Sequence, residues 1–435
     1  MDRLKTLFYD KAMASMAEMR TFNKDQGETI IDQVTIGQVF GGMRGIKSML
    51  WETSLLDAEE GIRFRGYSIP ELKTSLPSRG GEPLPEGLFW LMLTSEIPTE
   101  DDVNWLSDEW ERRRQIPAQT WRVLDSLDID THPMTQLGIG VLSLQGKSEF
   151  AHKYADGMNK RDYWDATYED TMNLIACLPQ VAAYIYRRTY HNNQQIAPDD
   201  TLDWAANYAH MLGVTQDEDF NSLMRLYMTL HADHEGGNAS AHAVHLAGST
   251  LSDVYYSFVS GVNALAGPLH GLANQEVIKW IFEMTEHLGT TKPTGEQIEK
   301  YITDTIAEGK VIPGYGHAVL RKPDPRFIAQ QAFAQKHMPD DDIVNIVWKV
   351  FEIAPKVLGS LGKVSNPWPN VDAHSGAILV HYGLKEYNYY TVLFAVSRAL
   401  GVLASTCWSR IMNLPLERPK SLTYEWMKKW VAARK

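Results

Sequence analysis

The chain has 435 residues, 44% of them hydrophobic and 22% charged, a balance ordinary for a globular protein whose core is large enough for two or more domains. Its formal net charge of -12 argues against a generic nucleic-acid surface, so any anionic ligand must meet local positive charge. Only Cys177 and Cys407 are present, far apart and outside any CxxC spacing, which excludes a disulfide scaffold or a thiolate zinc site and fits a reducing compartment.

From the N-terminus, Asp2, Asp10 and Glu18 interrupt the first turns, so the start has neither the apolar core of a secretory signal nor the acid-poor character of a transit peptide. Gly41-Gly42-Met43-Arg44-Gly45 does not satisfy a dinucleotide-binding fingerprint, and no GxxxxGK[ST] or G-x-S-x-G motif occurs. The clearest strand is 62–65, Ile-Arg-Phe-Arg, which follows the acidic turn 57–61 and is expected to pair with 48–54. Segments 77–85 and 191–200 read as surface loops.

Helical periodicity dominates the rest. Leu223, Leu226, Tyr227 and Leu230 form one stripe, and Ile343, Ile346, Val347, Val350 and Phe351 form another that starts after Pro339-Asp340. Leu393, Val396, Leu400 and Leu403 form a third, which places Arg398 inside a helix fit for burial and in need of an anionic partner. No uninterrupted apolar stretch of membrane-spanning length is expected, and strands are too few for a parallel sheet. The predicted fold class is therefore mainly α with a small β-hairpin or sheet near the N-terminus.

His231-Ala232-Asp233-His234-Glu235 invites a metal reading, but the second histidine of a His-Glu-x-x-His helix is missing and Gly236-Gly237 follows, so no metal is expected. His231, His242 and His245 read as interior histidines bonded to helices, and His234, beside the Gly-Gly turn, as a ligand contact. Two other histidines, His270 and His317, lie in the glycine- and proline-punctuated turns Gly267-Pro268-Leu269-His270-Gly271 and Pro313-Gly314-Tyr315-Gly316-His317. Such turns fix the backbone and admit a ligand close to the main chain. A carboxylate such as Asp372 can take a proton while a neutral imidazole donates to a developing oxyanion, a division of labour suited to enolisation beside a carbonyl. Arg321, Arg326, Arg398 and Arg418 supply guanidinium groups for carboxylates.

Four stretches in this order resemble eukaryotic-type citrate synthases: His231 to Asn238, Gly267 to Asn274, Pro313 to His317 and Asn370 to Gly376, flanked by Gly41 to Gly45, Glu60 to Tyr67 and Leu416 to Ser421. The resemblance implies a two-domain helical homodimer, with a large domain from 1–271 and 384–435 and a small mobile domain at 272–383. It implies condensation of acetyl-CoA with oxaloacetate, the first step of the tricarboxylic acid cycle, in the mitochondrial matrix and without a cofactor. Asp372 would abstract a methyl proton, His270 would stabilise the enol, and His317 would protonate the oxaloacetate carbonyl. His234, Arg326, Arg398 and Arg418 would hold oxaloacetate, Arg418 reaching across the dimer. Val311, Pro313, Gly314, Tyr315, Gly316, Ala318 and Asn370 would hold CoA, with Arg44, Lys160 and Arg321 near its phosphates. Lys160 stands where animal relatives tend to carry Arg, and Ser365 where relatives often have Lys. A 2-methylcitrate synthase using propionyl-CoA, or a non-catalytic CoA-binding assembly protein, would carry the same clefts.

Overall fold

The computed structural model describes residues 2–316, 319–361 and 366–434, so His317, Ala318 and Ser365 lie outside the described residues. The first helix, Arg3–Gln26, buries Leu4, Phe8, Ala12 and Met16, a four-residue step that lays one stripe on the body and leaves its far half in solvent. Lys5 anchors it through Asp165 at 2.6 Å and Glu169 at 2.5 Å.

The chain is mainly α, with the small sheet where the sequence placed it. Ser54–Asp57, Gly61–Phe64 and Tyr67–Ser68 form a three-stranded antiparallel sheet. The strand paired with Gly61–Phe64 is thus Ser54–Asp57 and not the expected 48–54. The physical reason is the turn: the Asp57 carboxylate accepts from the Glu59 and Glu60 N–H groups, both at 2.8 Å, and so closes the hairpin directly after Asp57. Loop 77–85 carries a second, two-stranded hairpin, Ser78–Arg79 with Glu82–Pro83.

The three apolar stripes form helices Glu218–Leu230, Asp342–Ser360 and Tyr390–Ile411. The second starts where Asp341 accepts from the Val344 N–H. Tyr390–Ile411 packs against the long helix Tyr163–Tyr190 and is buried almost all round, which is why its apolar residues are not confined to one face. Contrary to expectation, the stretch Tyr387–Ile411 is long and apolar enough to cross a membrane, but here it is wholly buried as a core helix. Its Gly401 faces the turn after Glu218–Leu230, and a Cβ there would lie 2.4 Å from both Ala232 O and Asp233 Cβ.

That close approach fixes the turn bearing His234 against the core helix bearing Arg398. Gly401→Ala is expected to destabilise the fold by about 1–3 kcal/mol through overpacking. Chemical denaturation of the two proteins, with matched m-values, checks the stability term.

Candidate active site

The turn 231–238 is built around a buried carboxylate. Asp233 Oδ2 accepts from Trp51 Nε1 at 3.0 Å, Thr53 Oγ1 at 2.6 Å and Ser54 Oγ at 2.8 Å, while Oδ1 takes the His234 N–H at 2.9 Å. The first sheet strand thereby holds the turn, and Asn238 Nδ2 closes it onto the His234 and Glu235 carbonyls. His231 is buried and donates from Nδ1 to Tyr227 O at 3.0 Å, as an interior histidine should. His242 and His245 differ from that expectation. They are half-buried on helix Ala239–Ser249 and face Glu417, at 2.8 and 3.8 Å, because the extended segment after Ile411 folds back over that helix.

His270 sits in the turn between helices Val254–Leu265 and Ala273–Leu288. A Cβ at Gly271 would lie 2.5 Å from Leu265 O, so the turn after the histidine closes only around glycine. The Ser240 N–H donates to His270 Nε2 at 3.2 Å, and Ser240 Oγ lies 2.9 Å from the same nitrogen. Nε2 therefore carries the lone pair and Nδ1 the proton. Burial, then the Arg398 charge, lowers the His270 pKa to about 4, so the ring is a neutral donor at physiological pH.

Arg398 shares those supports. Its Nε donates to His231 O at 3.1 Å, and Nη1 donates to Asn238 Oδ1 at 2.9 Å and Ser240 Oγ at 3.1 Å. The guanidinium carbon lies 4.7 Å from the Phe394 ring centre. These hydrogen-bond partners are neutral, so the anionic partner predicted for this arginine is not a carboxylate hydrogen-bonded to it within the described residues; Asp233 and Asp372 act on it only through space. Arg326, by contrast, pairs with Asp324, Nη2 to Oδ2 at 2.6 Å. Asp324 also caps helix Pro325–His337 by accepting the Arg326 N–H.

Asp372 is the first residue of helix Asp372–His381, and its N–H donates to Asn370 Oδ1 at 3.0 Å. Its Oδ1 is shut off from solvent without a hydrogen-bond partner among the described residues. Burial raises its pKa from 3.8 to about 6 despite Arg326 and Arg398, whose charges pull the other way. Alongside, segment 311–316 is zipped to 368–370: Asn370 N–H donates to Gly314 O at 2.9 Å, Gly316 N–H to Trp368 O at 3.2 Å, and Tyr315 bridges Pro369. Gly314, with φ +76°, approaches Ala373 so closely that a Cβ would stand 2.9 Å from its backbone.

A neutral imidazole, a buried carboxylate and two guanidinium groups thus converge beside a glycine-rich loop. Residues 42–420 match the citrate synthase C-terminal domain family. The chain is 54% identical over 411 residues to the mitochondrial citrate synthase of Daucus carota, covering 94% of this chain and 87% of that protein. It belongs to the citrate synthase family. Citrate synthase from Pyrobaculum aerophilum has the same fold, with a TM-score of 0.76 and 26% identity over 91% of this chain and 97% of that one. So does citrate synthase from Thermoplasma acidophilum, solved as a ternary complex with carboxymethyl coenzyme A and oxaloacetate, with a TM-score of 0.75 and 23% identity over 90% and 96% of the two chains.

Of the residues that the likeness to citrate synthases singled out, the chain brings His234, His270, Arg326, Arg398 and Asp372 onto neighbouring elements, with Gly314, Tyr315, Gly316 and Asn370 beside them. Val311 is exposed at the start of that loop, Pro313 is half-buried within it, and Arg321 is exposed just beyond, its backbone N–H tied to Ala58 O at 2.8 Å. Three others stand apart within one chain. Arg44 is exposed in the turn that contains Met43 at φ 61°. Lys160 lines a separate cavity of about 430 Å³ together with Tyr163, Arg410 and Asn413. Arg418 is exposed in the segment after Ile411. Sequence reasoning missed Ser240, Asn238 and Asp324. The last had a signal, since Asp before Pro is a helix start, whereas the first two act across long sequence separations.

The Asp372 shift fixes a sign. Between pH 3.8 and about 6 the folded state binds more protons at this group than the unfolded chain, so stability falls as pH rises through that window and the full penalty persists above it. Asp372→Asn is expected to raise stability at pH 8 by about 1–3 kcal/mol, with the gain vanishing below pH 4. Thermal melts across pH check this.

Proposed function

We propose that the site condenses acetyl-CoA with oxaloacetate and water to give citrate and CoA, the reaction of its family and the first step of the tricarboxylic acid cycle. The observation that carries the residue roles is the pairing of a buried, weakly acidic Asp372 with a neutral His270. Asp372 takes a proton from the acetyl methyl group. The His270 Nδ1–H donates to the oxygen on which the enolate charge develops, a preorganised interaction that grows along the reaction. The enol carbon then attacks the keto carbon of oxaloacetate, whose oxygen takes a proton from His317, and water cleaves the C–S bond to release CoA. All the proton carriers are side chains, so the chemistry calls for no cofactor; acetyl-CoA is a substrate.

His234, Arg326 and Arg398 suit the oxaloacetate carboxylates, because guanidinium groups bind carboxylates in a fork. The loop of Val311, Pro313, Gly314, Tyr315, Gly316 and Ala318, with Asn370, suits CoA through its main chain, and Arg44, Lys160 and Arg321 suit its phosphates. Residues 272–383 are the small mobile domain whose closure on the large domain, 1–271 and 384–435, would exclude water from the enol. The 54% identity to a mitochondrial relative supports the mitochondrial matrix as the compartment.

The exposure of Arg44 and Arg418 supports a homodimer in which each site is completed by the other chain. Exposed Ile30, Ile31, Phe40, Tyr424, Trp426 and Trp430 near the two chain ends supply apolar surface for such an embrace. Purified protein with acetyl-CoA and oxaloacetate should release free thiol, and propionyl-CoA should give a lower kcat/KM; thiol release without oxaloacetate would contradict the condensation. Mixing the inactive Arg418→Ala and Asp372→Asn chains under subunit exchange should recover about a quarter of wild-type activity, since half the dimers would carry one intact site. No recovery in exchanged dimers would place Arg418 in its own chain's site.

A further inference from the structure

Gln330 is completely buried although its side chain is polar. It lies on helix Pro325–His337 one turn beyond Arg326, on the same face. Its Nε2 donates to Ser375 Oγ at 2.9 Å, and the one Ser375 hydroxyl proton has two acceptors in reach, Val371 O at 2.9 Å and Gln330 Oε1 at 3.1 Å, of which the nearer is Val371 O. That carbonyl belongs to the peptide unit that leads directly into Asp372. A polar chain therefore runs from the Arg326 helix through Gln330 and Ser375 to the peptide plane from which the Asp372 carboxyl is hung.

We infer that Gln330 is a positioning residue for the proton abstraction, setting the Asp372 carboxyl by way of Ser375. The inference rests on the reading of Asp372 as the base. The helix start needs such a device. Val371 makes no side-chain cap, and a carboxylate at the first helical position has the torsional freedom that general-base geometry cannot tolerate. Other supports hold the same peptide plane at longer range: the His374 and Ser375 N–H groups lie 3.3 and 3.4 Å from the Val371 carbonyl and Asn370 Oδ1 takes the Asp372 N–H at 3.0 Å, so the Ser375 hydroxyl, at 2.9 Å, makes the shortest of the four contacts. Because Arg326 and Gln330 ride one helix, a dicarboxylate drawn onto Arg326 shifts the same element that sets the base.

The experiment compares wild type with Gln330→Met, which keeps the volume but deletes both polar atoms, Ser375→Ala, and the double variant, using acetyl-CoA and its methyl-deuterated form. Each single variant should lower kcat about tenfold while the KM for acetyl-CoA stays within about threefold, as a small misplacement of a reacting group does. The deuterium effect on kcat should rise as proton abstraction becomes limiting, and the double variant should be no slower than the slower single, since both cut one chain. Lowered stability with unchanged kcat and unchanged deuterium effect would overturn the inference, as would fully additive losses. Wild-type turnover by Asp372→Asn would instead sink the reading of the base itself, so the two failures are separable.

Discussion

A carboxylate withdrawn from water beside two guanidinium groups is the constraint on which the rest depends. Burial pushes the Asp372 pKa up, and the Arg326 and Arg398 charges pull it down. The two oppose one another, and burial wins by a margin that leaves the group ionised yet basic at neutral pH. The two arginines are fixed by different means. Arg326 is held by Asp324, whose own charge also reaches Asp372, and Arg398 is held by a carbonyl, an amide and a hydroxyl. The fold thus leaves one cation paired and the other facing the site with only neutral ligands.

The same supports set the histidine. Ser240 donates its N–H to His270 and accepts from Arg398, so one residue at the start of helix Ala239–Ser249 fixes both the tautomer of the donor and the tilt of the cation. Asn238, the cap of that helix, accepts from Arg398 at the same oxygen that receives the Ser240 hydroxyl. Helix capping, ordinarily a local device, here does long-range positioning because the capped end points into the site.

Much of this was readable along the chain. The apolar steps at 223–230, 343–351 and 393–403 specified helices, since only burial of one face rewards that spacing, and the glycine at 271 marked a turn that tolerates no side chain. Arg398 stood out because a cation inside an apolar stripe must have a reason. What was not readable was which polar groups satisfy it, because Ser240 and Asn238 lie about one hundred and sixty residues away and ordinary capping explains their presence just as well. The hairpin slipped for a local reason. Alternation identified the strand at 62–65, but its partner was set by the Asp57 side chain closing the turn, which hydrophobic pattern does not encode.

The surface tells a different part of the story from the site. Helices that are buried on one stripe leave water-facing polar groups, yet the segments near both chain ends expose Ile, Phe and Trp side chains that a single chain has no means of covering. Arg44 and Arg418 lie exposed close to these segments. In the homodimer proposed above, holding Arg418 beside Arg326 and Arg398 within one chain would add like-charge repulsion in the absence of substrate. Under that proposal, carrying it on an exposed segment would separate the folding of each chain from the assembly of a site with several cations. Folding would then have to stabilise one constellation, the buried Asp372 carboxyl with its two guanidinium neighbours, and association would supply the rest.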